Sequence, residues 1–181
     1  NLKVLGFSGD GDAYAEGMEH LIHAARFNPD FKYLIHNNQV FALTLAQPTP
    51  VTEYKYADKT TPYGVQTPPL NPIKLMLVSG ASFVARVYAD VAQVQDIVSQ
   101  AMAHKGFAFI EVIQPCVIFH PDKGYKERTY QLSSQNHDPT NFAAAMAKAD
   151  EFDYADPNAK IALGIFYRKE RETFESMKLK K

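Results

Sequence analysis

The sequence predicts an α/β protein, an open and mostly parallel sheet with helices on both faces. Three features point there. Short apolar, β-prone runs recur along the chain, segments with apolar residues at helical spacing lie between them, and Gly, Pro, Asn and Asp mark the joints. Strand–helix–strand alternation builds βαβ units, whose right-handed crossovers set neighbouring strands parallel. Residues 1–181 are expected to form a single domain.

The elements follow in order. Leu2, Val4, Leu5 and Phe7 make a first strand that stops at Gly9. Residues 13–27 read as one helix, with Met18, Leu21, Ile22 and Ala25 three or four apart. Asn28-Pro29-Asp30 ends it, and Phe31, Tyr33, Leu34 and Ile35 form the next strand, up to Asn37. Residues 40–46 read as a short helical or irregular passage. Residues 47–72 hold Pro48, Pro50, Pro62, Pro68, Pro69 and Pro72, so they are neither regular helix nor central strand. Loops of this length are usually functional or disordered. Tyr54, Tyr56 and Tyr63 within it suit contact with a protein surface.

Asn71 and Pro72 are the N-cap and first residue of a short helix that ends near Gly80. Residues 82–88 form a strand. Asp90 caps an amphipathic helix with Val91, Val94, Ile97, Val98, Ala101 and Met102 on one side, closed by Lys105-Gly106. Residues 107–113 are a buried strand interrupted only by Glu111. Residues 120–158 are polar and turn-rich, with an Ala-rich helix over about 140–151. Residues 160–167 are a last strand, and the basic end, Lys178, Lys180 and Lys181, is a solvated terminus.

Two motifs sit where chemistry is expected. Gly9-Asp10-Gly11-Asp12 and Asn37-Asn38-Gln39-Val40 each follow a strand of the first βαβ unit. Both then lie at the carboxyl ends of neighbouring parallel strands, where open α/β sheets bind ligands. Gly9 and Gly11 would let the backbone turn sharply and approach a ligand. A helix starting near Asp12 would aim N–H groups and its positive dipole end at an anion such as a diphosphate. Asp10 at the same turn would repel that anion, and a divalent cation resolves the conflict. Mg²⁺ takes about six oxygen ligands, few of them from protein. Asp10 can give a carboxylate oxygen, Asn38 an amide oxygen and Val40 a backbone carbonyl.

Composition sets bounds. The chain of 181 residues is 46% hydrophobic and 22% charged, near the average for a soluble globular domain. A net charge of −1 gives no reason to expect a nucleic-acid or membrane partner. One cysteine excludes an internal disulfide framework. No apolar run approaches the roughly 20 residues of a membrane span, and no signal-peptide pattern opens the chain, so a cytoplasmic location is expected. His20 and His23, at i and i+3, could share a face for a metal, but a structural role packing under the glycine turn is the stronger expectation. His36 is expected to be buried at its strand end.

Asp10 and Asn38 are 28 positions apart, and GDG followed at that distance by NN resembles the thiamine-diphosphate motif. The segments GDGDAYAEGMEHLIHAARFN, NNQVFALTLAQPTPVT, TPYG, GASFVAR, IEVIQPCV and GIFYRKERETFE narrow the likeness. Together they resemble the β subunit of 2-oxoacid:ferredoxin oxidoreductases, over about residues 1–176. A GDG alone is a weak signal; this ordered series is a strong one.

The resemblance implies thiamine-dependent oxidative decarboxylation of a 2-oxoacid such as pyruvate or 2-oxoglutarate, with the acyl group passed to coenzyme A and electrons to ferredoxin. It implies thiamine diphosphate at Gly9, Gly11 and Asp12, and Mg²⁺ at Asp10, Asn38 and Val40. Ala42, Leu43 and Thr44 would lie against the cofactor's reactive centre, although Leu43 reads equally well as ordinary core. Cys116, more often a buried thiol when alone, would be the fourth thiolate of a [4Fe–4S] cluster. Three cluster cysteines and part of the cofactor site belong to a preceding segment in the family, so the chain is expected to be the C-terminal part of a longer subunit. In the family the activating glutamate lies on the partner subunit, and the resemblance implies an α subunit, or α, γ and δ subunits, as partners. No catalytic acid or base is assigned to this chain, which alone is expected to fold without catalysing. The other readings are a half-site of a non-oxidative thiamine diphosphate decarboxylase or synthase, against which Cys116 and the GIFYRKER ending speak, and a plain nucleotide-binding module, for which the glycine pattern is loose.

Overall fold

The computed structural model describes residues 2–122, 124–152, 156 and 158–178; Lys180 and Lys181 lie outside the described residues. The expected strands are all present, at β1 (Val4–Gly9), β2 (Phe31–Asn37), β5 (Phe83–Tyr88), β6 (Ala108–Ile113) and β8 (Ile161–Arg168). Two short strands, β3 (Val40–Phe41) and β4 (Gln47–Pro48), pair antiparallel as a separate hairpin. A further short strand, β7 (Thr129–Gln131), lies in the stretch expected to be only turn-rich. The main sheet has the order β1-β2-β6-β5-β8-β7. β1, β2, β6 and β5 are mutually parallel, while β8 joins β5 antiparallel and carries β7 parallel to itself.

Side chains alternating across these strands feed two cores. On one face Leu34, Ala85, Ile110 and Val112 pack against Ile97 and Ala101 of α3 (Val91–Ala103). Opposite them, Ile35, Val84 and Phe109 pack against α1 (Met18–Phe27), α2 (Pro72–Val78) and α5 (Phe142–Asp150). Helix starts follow the sequence: the side chains of Asn71, Asp90 and Asn141 each accept a hydrogen bond from the backbone N–H three residues on. Two short helices, α4 (Tyr125–Arg128) and α6 (Phe174–Lys178), complete the set. No helix among the described residues is long and apolar enough to cross a membrane.

Three expectations change. The single helix over 13–27 is two pieces. A π-type turn at Asp12–Glu16 closes through Gly17 N–H donating to the Asp12 carbonyl at 2.7 Å, and α1 starts afresh at Met18. A Cβ on Gly17 would stand 3.0 Å from that same carbonyl, a tight contact that the wide turn would have to relax to accept. His20 and His23 are exposed on α1 rather than packed beneath the turn, and no metal-binding cluster occurs among the described residues. Val91 heads α3 in solvent, so the apolar stripe begins at Val94.

The amino-terminal edge of the sheet is closed by a polar knot. Asn28, left-handed at the end of α1, accepts from Phe107 N–H at 2.9 Å and donates to the Glu172 carbonyl at 3.1 Å. Buried Lys32 donates to the carbonyls of His104 and Gly106 and pairs with Asp30. His104 Nε2 meets Ser82 Oγ at 2.8 Å, and Ser82 Oγ lies 2.6 Å from Asn28 Oδ1. Burial, with Lys32 nearby, pushes the His104 pKa down to about 4. A depressed histidine stabilises the fold above its unfolded pKa near 6.5, and that contribution is lost as pH falls toward 4. Thermal unfolding between pH 7 and pH 4.5 should therefore show a steeper loss for the wild type than for His104→Gln, by on the order of 2 kcal/mol. Equal slopes would mean that His104 is protonated without cost.

Candidate cofactor and metal site

Sheet register brings the two motifs together. Gly9 pairs with His36, and His36 with Val112, so Asp10, Asn37-Asn38 and Gln114 emerge side by side at the carboxyl edge of β1, β2 and β6. Gln114 N–H donates to the Asn37 carbonyl at 2.9 Å, and Gln114 Oε1 lies 2.6 Å from His36 Nδ1. His36 is thus half-buried and tied to the rim, with its ring against Phe7.

Asp10 is the centre of this edge and is 1% exposed. Its Oδ1 accepts from Asn38 N–H at 3.2 Å and its Oδ2 from the Thr49 hydroxyl at 2.6 Å. Asn38 Oδ1 accepts from Val40 N–H at 3.0 Å, which folds the chain back after β2. Gln39 turns that corner at φ 64°, with its side-chain amide donating to the Val51 carbonyl at 3.0 Å. Thr49 N–H donates to Thr52 Oγ1 at 2.7 Å, and that hydroxyl donates to the Gln39 carbonyl. The first residues of the proline-rich segment are therefore fixed beneath the site, with Val51 fully buried. The rest of the segment closes on itself through Lys55 N–H to Val65 O and Val65 N–H to Tyr56 O.

Below the motif lies an ion pair that the sequence reading missed. Glu111 Oε1 accepts from Asn37 Nδ2 at 2.7 Å, and Glu111 Oε2 from Arg86 Nε at 2.7 Å. Both charged side chains are fully buried, and the Arg86 guanidinium lies 4.8 Å from the Phe152 ring centre. Asn37 Oδ1 accepts in turn from Gln39 N–H. A glutamate in an otherwise apolar strand was the visible signal; its partner within another apolar run was not marked by spacing.

Neither Gly9 nor Gly11 has a positive φ. Gly11 is needed because the Phe41 ring lies where its Cβ would be, at 2.1 Å. Gly9 N–H donates to Asp12 Oδ2 at 3.1 Å, which ties the turn to the start of the following segment. Of the two forms expected for 40–46, helical or irregular, the structure has the second: Ala42, Leu43 and Thr44 form the turn at the tip of the β3–β4 hairpin. Leu43 is 96% exposed there, so it is not core. Leu45 and Ala46 follow at φ 77° and 87°, a costly conformation for residues with side chains. The Tyr56 hydroxyl donates to the Ala46 carbonyl at 3.3 Å.

Cys116 stands apart, in the loop after β6. Its Sγ accepts from Phe119 N–H at 3.5 Å. Burial alone would raise the thiol; the N–H groups of Phe119, Ile118 and His120 outweigh it and hold the pKa below the ordinary value. Such converging amides favour a thiolate.

The donor set fits a cation. Burial pushes the Asp10 carboxyl up to about 6 against the lowering effect of Thr49 and Asn38, and Glu111 adds to the rise. No ion pair to Asp10 occurs among the described residues. A buried carboxylate without a cationic partner is costly, and a divalent ion on the remaining lone pairs of Asp10 and Asn38 would compensate it.

Known proteins resemble the chain along nearly its whole length. Residues 1–112 match the family described as thiamine pyrophosphate enzyme, C-terminal TPP binding domain. Residues 121–180 match the C-terminal family of the pyruvate ferredoxin oxidoreductase beta subunit. Subunit beta of 2-oxoacid:ferredoxin oxidoreductase 1 from Aeropyrum pernix is 36% identical over 92% of this chain and 55% of its own length. The corresponding subunit from Saccharolobus solfataricus is 34% identical over 94% of this chain and 59% of its own. A solved 2-oxoglutarate:ferredoxin oxidoreductase from Magnetococcus marinus, with 2-oxoglutarate, coenzyme A and succinyl-CoA bound, superposes with a TM-score of 0.88 at 30% identity, over 95% of this chain and 58% of that one. Fold and sequence thus define a thiamine pyrophosphate enzyme domain. Within that class the chain belongs to the β subunits of 2-oxoacid:ferredoxin oxidoreductases. It spans a little over half the length of these relatives.

Asp10 has a checkable cost. A raised carboxyl favours folding below its unfolded pKa near 3.8, and that advantage is lost as pH climbs through 6. The metal-free Asp10→Asn chain should be more stable than wild type at pH 7.5 by about 3 kcal/mol. The gap should shrink toward zero near pH 4. Denaturant titration measures both; a variant less stable than wild type at pH 7.5 would show that the carboxylate is already compensated.

Proposed function

We propose that this chain holds Mg²⁺ and thiamine diphosphate in the β subunit of a 2-oxoacid:ferredoxin oxidoreductase, which converts a 2-oxoacid to acyl-CoA and passes the electrons to ferredoxin. The observation that carries the reading is the buried Asp10 carboxylate, hydrogen-bonded but without an ion pair among the described residues, set against Asn38 at the carboxyl edge of the sheet. Asp10 and Asn38 would supply oxygens to the metal, and Val40, buried and turned by Asn38, its carbonyl. Gly9, Gly11 and Asp12 would border the diphosphate. Ala42, Leu43 and Thr44 would flank the reactive end, on a hairpin tip held by the Tyr56–Ala46 bond. The bound cofactor supplies the carbanion chemistry, and the chain's part is to bind and orient it.

Cys116 would be one thiolate ligand of a [4Fe–4S] cluster, which takes four. The amides converging on its sulfur support that role. The match of residues 121–180 supports the oxidative branch over a non-oxidative decarboxylase or synthase half-site. Leu43, Leu45, Tyr63, Val117 and Ile118 are exposed, and they suit burial by a partner subunit of the same enzyme. The domain is taken as the C-terminal part of a longer subunit of a cytoplasmic enzyme.

Two sets of variants in the assembled enzyme test this. Asp10→Ala or Asn38→Ala should lower Mg²⁺-dependent thiamine diphosphate affinity at least 100-fold by calorimetry, roughly the loss expected from removed charge-assisted ligation. Wild-type affinity in both would remove the metal assignment. Cys116→Ser should lose iron and the visible absorption of one cluster while cofactor affinity persists; unchanged iron content would make Cys116 an ordinary thiol.

A further inference from the structure

His120 and Glu53 form a contact that none of this uses. His120 lies four residues after Cys116 and is buried. Its Nε2 is 2.6 Å from Glu53 Oε2, on the proline-rich segment. The ring packs against Tyr56 with centroids 5.4 Å apart. Its backbone N–H donates to the Cys116 carbonyl at 3.1 Å, closing residues 116–120 into a tight loop. Within that loop the Phe119 N–H points at Cys116 Sγ. The neighbouring side chains Val117 and Ile118 are in solvent and offer no anchorage. The loop is therefore held at one end by β6 and at the other by the buried imidazole.

We propose that the Glu53–His120 pair is a positioning clamp that keeps the 116–120 loop closed and the Phe119 N–H aimed at the Cys116 sulfur. The clamp also ties that sulfur to the site hairpin. Tyr56, three residues from Glu53, packs on His120 and donates to the Ala46 carbonyl at 3.3 Å. Glu53 itself lies next to Thr52, whose hydroxyl is bonded to the Gln39 carbonyl. One short stretch, 52–56, thus touches the corner after Asn38, the hairpin and the cysteine loop.

The consequence for a bound cluster is directional and rests on Cys116 being a ligand. N–H dipoles aimed at a cluster sulfur stabilise the added negative charge of the reduced state, so they raise the potential. Releasing the clamp should lower it. Glutamine at 53 keeps an oxygen to accept from His120, so a positional role predicts rescue by Glu53→Gln and failure by Glu53→Ala.

The test is made in the assembled enzyme, with redox titration followed by EPR. Glu53→Ala should shift the midpoint potential of one cluster to more negative values, or lose that cluster, while Glu53→Gln stays at the wild-type value. Hydrogen exchange should quicken at the amides of 117–120 in Glu53→Ala and not in Glu53→Gln. An unshifted potential in Glu53→Ala with the cluster intact overturns the clamp. So does Glu53→Gln behaving like Glu53→Ala. Cys116→Ser is the control for the underlying reading: if it keeps every cluster, the ligand assignment fails, and the exchange data alone then decide whether the clamp holds the loop.

Discussion

The buried carboxylate of Asp10 is the constraint to which the rest of the site is fitted. An anion this deep in protein must be hydrogen-bonded and matched by positive charge, or its pKa rises until it is neutral. Asn38 and Thr49 hydrogen-bond to it, and no ion pair to it occurs among the described residues. Its pKa near 6 is the signature of that partial compensation. Such an arrangement costs stability in the metal-free fold, and it is the form a site takes when the missing charge arrives with a ligand.

Supporting that carboxylate takes residues from far along the chain. Asn38 is placed by β2, and the residue before it is gripped by Glu111 of β6, which is paired with Arg86 of β5. Thr49 is placed by the start of the proline-rich segment, through Thr52 and Gln39. Three parallel strands and one loop thus converge on one oxygen pair. Breaking a buried pair such as Arg86–Glu111 leaves an uncompensated charge in the core, typically at a cost of about 3–5 kcal/mol. The same break would free the Asn37-Asn38 corner, so stability and site geometry are tied to one another here.

The five long strands and the parallel direction of the first four of them were legible in the sequence, because apolar runs, helical spacing and caps such as Asn71 and Asp90 report local structure directly. So was the meeting of Asp10 with Asn38, since a βαβ crossover fixes both at one edge. The antiparallel return of β8 was not, because nothing local distinguishes a strand that enters a sheet from the other direction. The break at Gly17 was hidden because the apolar spacing of the surrounding residues continues through it. For Leu43 the sequence left a place beside the reactive centre and a place in the core equally open; it sits at a hairpin tip in solvent, which excludes the core. Thr49, Glu53 and His120 carry no spacing signal; their roles arise only when distant loops fold onto one another.

The most direct measurement is a manganese anomalous-difference map of the assembled enzyme crystallised with Mn²⁺ and thiamine diphosphate. The expected peak lies about 2.1 Å from an Asp10 carboxylate oxygen and from Asn38 Oδ1. A manganese peak away from Asp10, with the cofactor bound and this edge of the sheet unchanged, would contradict the assignment of that carboxylate to the metal.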